Sequence, residues 1–135
     1  MNVVLNNVLL DTNMLIWLAL DKLPIDSEKI ILEKTNNIYF SPASLWEIVI
    51  KNNLGRKDFN LDPNVLHSSL IEHNYIELKI NSKHTLMTGA ISTLDNDPFD
   101  RVLISQAIVE DMSLLTSDKK LRKCPYKNII YIKNK

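Results

Sequence analysis

The sequence predicts an α/β domain with a mostly parallel central sheet, and three observations lead there. Short apolar runs of strand character alternate with segments of helical periodicity along the 135 residues. No two runs are joined by a hairpin turn signal, so the strands need crossover connections, which in practice are helices. Helix-start signals of the Ser-Pro and Asp-Pro kind, at Ser41-Pro42, Asp62-Pro63 and Asp97-Pro98, mark where helices open along the chain.

Val3 to Leu5 and Val8 to Leu10 form a first buried strand, which Asp11-Thr12-Asn13 ends in a turn. Met14 to Leu20 is apolar and helical. Asp26 to Lys34 places Ile30 and Ile31 among charged residues at helical spacing. Asn36-Asn37 breaks that helix, and Ile38-Tyr39-Phe40 is the second strand. Ser41-Pro42 opens a helix whose face holds Leu45, Ile48, Val49 and Asn52, and Gly55 stops it. Asp62-Pro63 starts a helix to about Asn74, Tyr75 to Ile80 is a third strand, and Ser82 to about Leu94 a further helix. Asp97-Pro98 begins a helix to about Asp111 with an apolar stripe of Phe99, Val102, Leu103, Ala107 and Ile108. The strand Ser113 to Thr116 follows directly, and Asn128 to Ile132 is the last strand. No internal repeat or linker interrupts residues 1–135, so a single domain is expected.

Composition narrows the function. With 45% hydrophobic and 24% charged residues the chain is an ordinary folding sequence. The lone Cys124 offers neither a disulfide nor a zinc site, which suits a reducing cytoplasm. Val8 to Leu20 is too short and too interrupted to span a membrane, and the start of the chain does not look like a secretory signal, so the mature protein is expected to begin near Met1. Net charge is zero but unevenly spread: seven of the 16 basic residues follow Asp118, and none of the 16 acidic ones does. That basic tail is either a solvated terminus or a contact for phosphate or a partner. Gly55 and Gly89 are the only glycines, which excludes a P-loop or a dinucleotide fingerprint. His67, His73 and His84 have no metal spacing and are expected at the surface or an edge; no Ser-His-Asp or Cys-His arrangement is suggested. Trp17 and Trp46 sit in apolar helices and are expected in the core or an interface.

Ligands of open parallel sheets bind beyond the carboxyl ends of the strands. Asp11 and Asp118 each follow a strand and belong on that rim. Glu47 lies about one and a half turns into the helix after the second strand, and Asp100 in the first turn of the Pro98 helix. Carboxylates converging there would repel unless a cation neutralised them. Oxygen-only ligation selects Mg²⁺ or Mn²⁺ over zinc, and such ions suit phosphodiester hydrolysis. Thr12 and Thr116 lie beside the rim, where they can hold waters or orient the carboxylates. Each acid also has a structural use: Asp11 or Thr12 as a helix cap, Glu47 in a capping box with Ser44 and a pair with Lys51, Asp97 as the cap of the Pro98 helix, Asp100 against its dipole, Asp118 as the cap of the Lys119 to Lys123 turn. Their joint placement is what favours chemistry.

These residues resemble the PIN-domain ribonucleases, specifically VapC-type toxins of bacterial toxin–antitoxin pairs. The likeness rests on Leu10-Asp11-Thr12-Asn13, Ala43-Ser44-Leu45-Trp46-Glu47-Ile48 with Lys51 and Leu54-Gly55-Arg56, Asp97-Pro98-Phe99-Asp100-Arg101, and Leu114-Leu115-Thr116-Ser117-Asp118, in that order over nearly the whole chain. It implies a three-layer PIN-like fold and an acidic quartet of Asp11, Glu47, Asp100 and Asp118 that binds Mg²⁺ or Mn²⁺. It also implies cutting of structured RNA such as transfer or ribosomal RNA, a homodimer, and a small antitoxin that blocks the site. Two departures stand out. Asn13 replaces a frequent His, and Asp95-Asn96 replace a common His-Arg, which bears on RNA positioning; Arg56, Lys57, Arg101 and the basic tail are the candidate phosphate contacts instead. The competing readings are a catalytically inactive module that binds RNA or protein, and a phosphatase or phospho-receiver domain, which would want a second acid two residues after Asp11 where Asn13 stands.

Overall fold

The computed structural model describes residues 2–55, 60–93 and 96–134. Five strands form one sheet: β1 (Asn7–Leu10), β2 (Asn37–Phe40), β3 (Ile76–Glu77), β4 (Ser113–Thr116) and β5 (Ile129–Tyr131), in the order β3-β2-β1-β4-β5 with every pairing parallel. Between them run α1 (Thr12–Ala19), α2 (Ile25–Leu32), α3 (Pro42–Asn53), α4 (Pro63–Glu72), α5 (Ser82–Met87), α6 (Pro98–Val109) and α7 (Lys119–Arg122).

The period of two along a strand sends alternate residues to opposite faces, and the core divides accordingly. Val8 and Leu10 of β1 pack with Met14 and Leu15 of α1, Ile30 of α2, Ile48 of α3 and Leu66 of α4. Leu9 of β1 and Leu114 of β4 pack on the other side with Leu103, Ile104 and Ala107 of α6 and Leu121 of α7. Both faces of the sheet are therefore covered, which gives three layers and accounts for strands that are apolar throughout. Among the described residues no helix is long and apolar enough to cross a membrane.

Several expectations are corrected, each by a tertiary or backbone contact. Val3 to Leu5 is not part of β1. Asn6 adopts a left-handed φ of 68° that turns the chain, and buried Asn36 takes over the hydrogen bonding there: its Oδ1 accepts from the Leu5 and Asn6 N–H groups while its Nδ2 donates to the Val3 and Ile30 carbonyls. The third strand shrinks from Tyr75–Ile80 to two residues because the Gln106 amide captures the Leu78 carbonyl at 2.9 Å. The helix expected from Ser82 to about Leu94 is α5 alone, followed by a 3₁₀ turn, Thr88–Ala90, that contains Gly89; Leu94 itself lies outside the described residues. Ser44 does not close a capping box with Glu47, because α3 starts earlier: Ser41 is its cap and accepts from the Ala43 N–H, and Pro42 is its first residue.

His84 is the clearest departure. Expected at the surface or an edge, it is fully buried, since its Nδ1 accepts from the Asn81 N–H and its Nε2 therefore carries the proton and donates to Glu110 at 2.7 Å. His84→Ala removes both bonds and leaves a cavity, so urea unfolding is expected to show a loss of about 2–4 kcal/mol at unchanged slope. A loss under 0.5 kcal/mol would mean that the pair with Glu110 contributes nothing.

Candidate functional site

Going outward from β1, the chain proceeds to β2 and β3 on one side and to β4 and β5 on the other. The order thus reverses between β1 and β4, and a crevice opens at their carboxyl ends. Leu10 is in register with Leu115, so the next residues, Asp11 and Thr116, face each other on the rim. The Asp11 N–H donates to the Leu115 carbonyl at 3.1 Å and extends the ladder by one bond.

The Asp11 side chain is held from two directions. It caps α1, its Oδ1 accepting from the Met14 N–H at 2.8 Å, and its Oδ2 accepts from the Thr116 hydroxyl. Thr116, itself fully buried, also accepts from the Asp118 N–H at 3.0 Å, so one hydroxyl ties the two rim aspartates together. Asp118 in turn caps α7 through the Lys120 N–H. Both capping roles expected for Asp11 and Asp118 are present, and neither removes the carboxylate from the rim.

Glu47 arrives from α3, whose start is fixed to that of α1 by a buried hydrogen bond from the Thr12 hydroxyl to Ser44 Oγ at 3.0 Å. Its carboxylate pairs with Lys51, one turn on, at 3.7 Å. Asp100 is half-buried in the first turn of α6, where Asp97 caps the helix by accepting from the Phe99 and Asp100 N–H groups. The rings of Trp46 and Phe99, each the neighbour of one of these acids, meet edge to face with centroids 5.3 Å apart. This contact joins α3 to α6. Trp46 is otherwise well exposed, which places it at a surface and not in the core.

Electrostatics show which acids share a field. Burial, and then the negative charges of Asp118 and Glu47, push the Asp11 carboxyl up from 3.8 to about 6, against the lowering effect of the bonds from Thr116 and Met14. Among the described residues no three His, Cys, Asp or Glu side chains are gathered tightly enough to enclose a metal ion. The contacts supply the physical reason: the carboxylates repel, and each has turned to a local partner, Asp11 to Thr116 and Met14, Glu47 to Lys51, Asp118 to the α7 backbone. The donor set still fits a hard divalent cation. It consists of carboxylate and hydroxyl oxygens, and its central member is a desolvated carboxylate under like-charge stress that a cation would relieve.

The candidate phosphate contacts fare differently. Arg101 turns its guanidinium to the Thr88 carbonyl and the Asn96 side chain, bracing the approach to α6. Arg56, Lys57 and Asp95 lie outside the described residues. Sequence reasoning passed over Ser44 as the partner of Thr12, because a contact across 32 residues leaves no local trace.

With this geometry in view, the comparisons are specific about the fold. A family model described as PIN domain matches residues 8–125. The structure is similar to VapBC2 from Rickettsia felis bound to a DNA fragment from its promoter, at 20% identity over 94% of this chain and 98% of that one, with a TM-score of 0.67. It is similar to DNA-bound VapBC from Salmonella typhimurium at 17% identity, covering 93% and 98% of the two chains, with a TM-score of 0.66. VapBC-1 from nontypeable Haemophilus influenzae gives 18% identity, 95% and 98% coverage and a TM-score of 0.62. No curated protein matches the sequence. Likeness at such identity speaks for the fold, but the family match spans most of the chain, including Asp11, Glu47, Asp100 and Asp118, and on that ground the chain belongs to the PIN domain family.

Proposed function

We propose that this chain is a metal-dependent endoribonuclease that cuts structured RNA, transfer or ribosomal, and acts in the cytoplasm as the toxin of a toxin–antitoxin pair, folded as one domain and paired as a homodimer. The observation that carries the reading is the buried Asp11 at the strand-order reversal, stressed by the charges of Asp118 and Glu47. The family match supports nuclease chemistry, and the similar structures are described as VapBC complexes, which supports a small antitoxin partner.

In this reading Asp11, Glu47, Asp100 and Asp118 hold Mg²⁺ or Mn²⁺. A bound ion of this kind activates a water and neutralises charge on the scissile phosphodiester. The chain's own contribution is placement. The Met14 N–H and the Thr116 hydroxyl fix both Asp11 oxygens, so its rotamer is set before any ligand arrives. Thr116 also fixes the Asp118 backbone, and Thr12 with Ser44 fixes the helix that carries Glu47. Lys51 keeps the Glu47 carboxylate company in the meantime. Arg56 and Lys57 contact phosphate, and Arg101 does so on leaving the Thr88 carbonyl and Asn96.

The test is incubation of total transfer and ribosomal RNA with the purified protein in Mg²⁺, in Mn²⁺ and in chelator. Discrete products with either metal and none in chelator are expected. No cutting by folded, antitoxin-free protein in either metal would move the assignment to an inactive PIN module that binds RNA or protein.

A further inference from the structure

The basic tail singled out in the sequence acquires a shape in the structure. A groove of about 890 Å³ opens beside Asp118. Its walls are Asn13 and Trp17 of α1, Lys119 and Arg122 of α7, Tyr131 of β5 and Lys133 just beyond it. Asp118, one of the rim acids, is the single acidic residue among the described residues that line it. Lys119, Arg122 and Lys133 are all exposed, while the Arg122 guanidinium lies over the Tyr131 ring, 4.9 Å from its centroid. Stacking on a ring face orients the guanidinium and leaves its N–H edge for an anion. Tyr131 and Trp17 are only half-buried, so aromatic surface adjoins the cations. The hollow next to Glu47 is mixed: among the described residues Ile50, Leu54, Pro98 and Phe99 share its walls with Lys51, Asn96 and Asp97, so acids balance its single cation there.

We infer that this groove is where the sugar–phosphate backbone of a single nucleic-acid strand lies as it approaches the acidic rim, with Lys119, Arg122 and Lys133 meeting phosphates and Tyr131 and Trp17 offering surfaces for bases. The inference rests on the nuclease reading above and deepens it, because it adds phosphate contacts on the β5 flank beyond Arg56, Lys57 and Arg101. Cations beside aromatic faces are the combination that non-sequence-specific strand binding uses. They also compensate the long-range repulsion that an acidic centre exerts on a polyanion.

The test is fluorescence anisotropy of a short single-stranded RNA of mixed sequence, in chelator so that it is not cut, over a series of salt concentrations. Arg122→Gln/Lys133→Gln is compared with Lys79→Gln/Lys83→Gln, which removes the same charge outside the groove, just after edge strand β3 and in α5. The groove variant is expected to bind roughly five- to tenfold more weakly at low salt, and its slope of log affinity against log salt to flatten by about 1.4, that is ~0.7 for each phosphate no longer neutralised. The control is expected to change neither. Equal losses in both variants, or none in either, would overturn the groove. If the wild type cuts RNA in Mg²⁺ while the groove variant keeps its full salt slope, the groove fails and the nuclease reading stands; if the wild type neither cuts nor binds, both fail. Poly-glutamate is the second probe: loss of its binding with RNA affinity intact would overturn the inference in favour of an acidic polypeptide. Circular dichroism checks the fold, and should the double variant not fold, exposed Lys133→Gln alone is expected to flatten the slope by about half as much, and an unchanged slope overturns the groove.

Discussion

Asp11→Asn is expected to abolish RNA cutting and, in the same protein, to raise stability. Activity should fall by more than roughly 100-fold, the upper end of what is lost when a residue merely supports a metal ligand. Asn can still cap α1 through its Oδ1, and its Nδ2 then donates to the Thr116 hydroxyl oxygen in place of the bond the carboxylate accepted, so the fold is kept while the charge disappears. Stability follows from linkage. The Asp11 carboxyl titrates at about 6 in the folded chain against 3.8 in the unfolded one, so near pH 5 the folded state holds the proton more often. Stability from this group is fully present below pH 4, is lost as pH rises through 6, and is constant above. The difference amounts to about 3 kcal/mol as an upper figure, at ~1.4 kcal/mol per pH unit. Asn forfeits the charge assistance of the cap bond and reverses the bond with Thr116, which leaves a net gain of about 1–2 kcal/mol at pH 7.5. Urea unfolding in chelator at pH 4.5 and pH 7.5, for wild type and variant together, reads the contribution of the Asp11 charge by difference. A variant that cuts RNA would show that Asp11 is not a ligand. A variant whose stability tracks the wild type at both pH values would show that Asp11 bears no electrostatic stress.

Thr116→Val is expected to have the second largest effect, although a hydroxyl becomes only a methyl. Thr116 is fully buried, donates to Asp11 and accepts from the Asp118 N–H. Val fills the same volume and makes neither bond. One carboxylate oxygen and one backbone N–H then lack a partner next to the core, at about 1–3 kcal/mol each, so a total loss of about 2–4 kcal/mol is expected in chemical unfolding. The missing hydrogen bond also stops lowering the Asp11 pKa, so the carboxyl rises further and the acid limb of the pH–activity profile moves to higher pH. Thr116→Ser keeps the hydroxyl and should restore the wild-type profile while retaining some packing loss. An unshifted acid limb in the Val variant would show that Thr116 has only a structural part.

The legible elements were those whose signals are local. Ser113 to Thr116 is β4 to the residue, because a short apolar run is bounded by the turn that ends α6, where Asp111 takes a left-handed φ of 54°, and by Asp118. Pro98 and Pro63 stand first in their helices with Asp97 and Asp62 as caps, because a fixed φ and an Asp oxygen suit those positions whatever surrounds them. His84 and Val3 to Leu5 depart from the sequence expectation for the opposite reason. Glu110 is 26 residues from His84 and Asn36 more than 30 from the segment it ties down, so the partner that decides burial or pairing is invisible in any window of sequence. The β3 strand ends at Glu77 because Gln106 of α6 takes the next carbonyl, which no pattern near residue 78 announces.

For the site the division is similar. Local pattern carries the positions of Asp11 and Asp118 after strands, of Glu47 and Asp100 early in helices, and of the positive charge after Asp118, since each depends on periodicity, capping or a count of residues. Tertiary structure alone decided that β1 and β4 lie side by side, so that Thr116 can bridge two aspartates, that the charges of Asp118 and Glu47 reach Asp11, and that the tail folds back on α1 as a groove. Strand order and side-chain contact are properties of how the layers pack to bury both faces of the sheet, and packing is resolved by the whole set of apolar surfaces at once, not by any one segment.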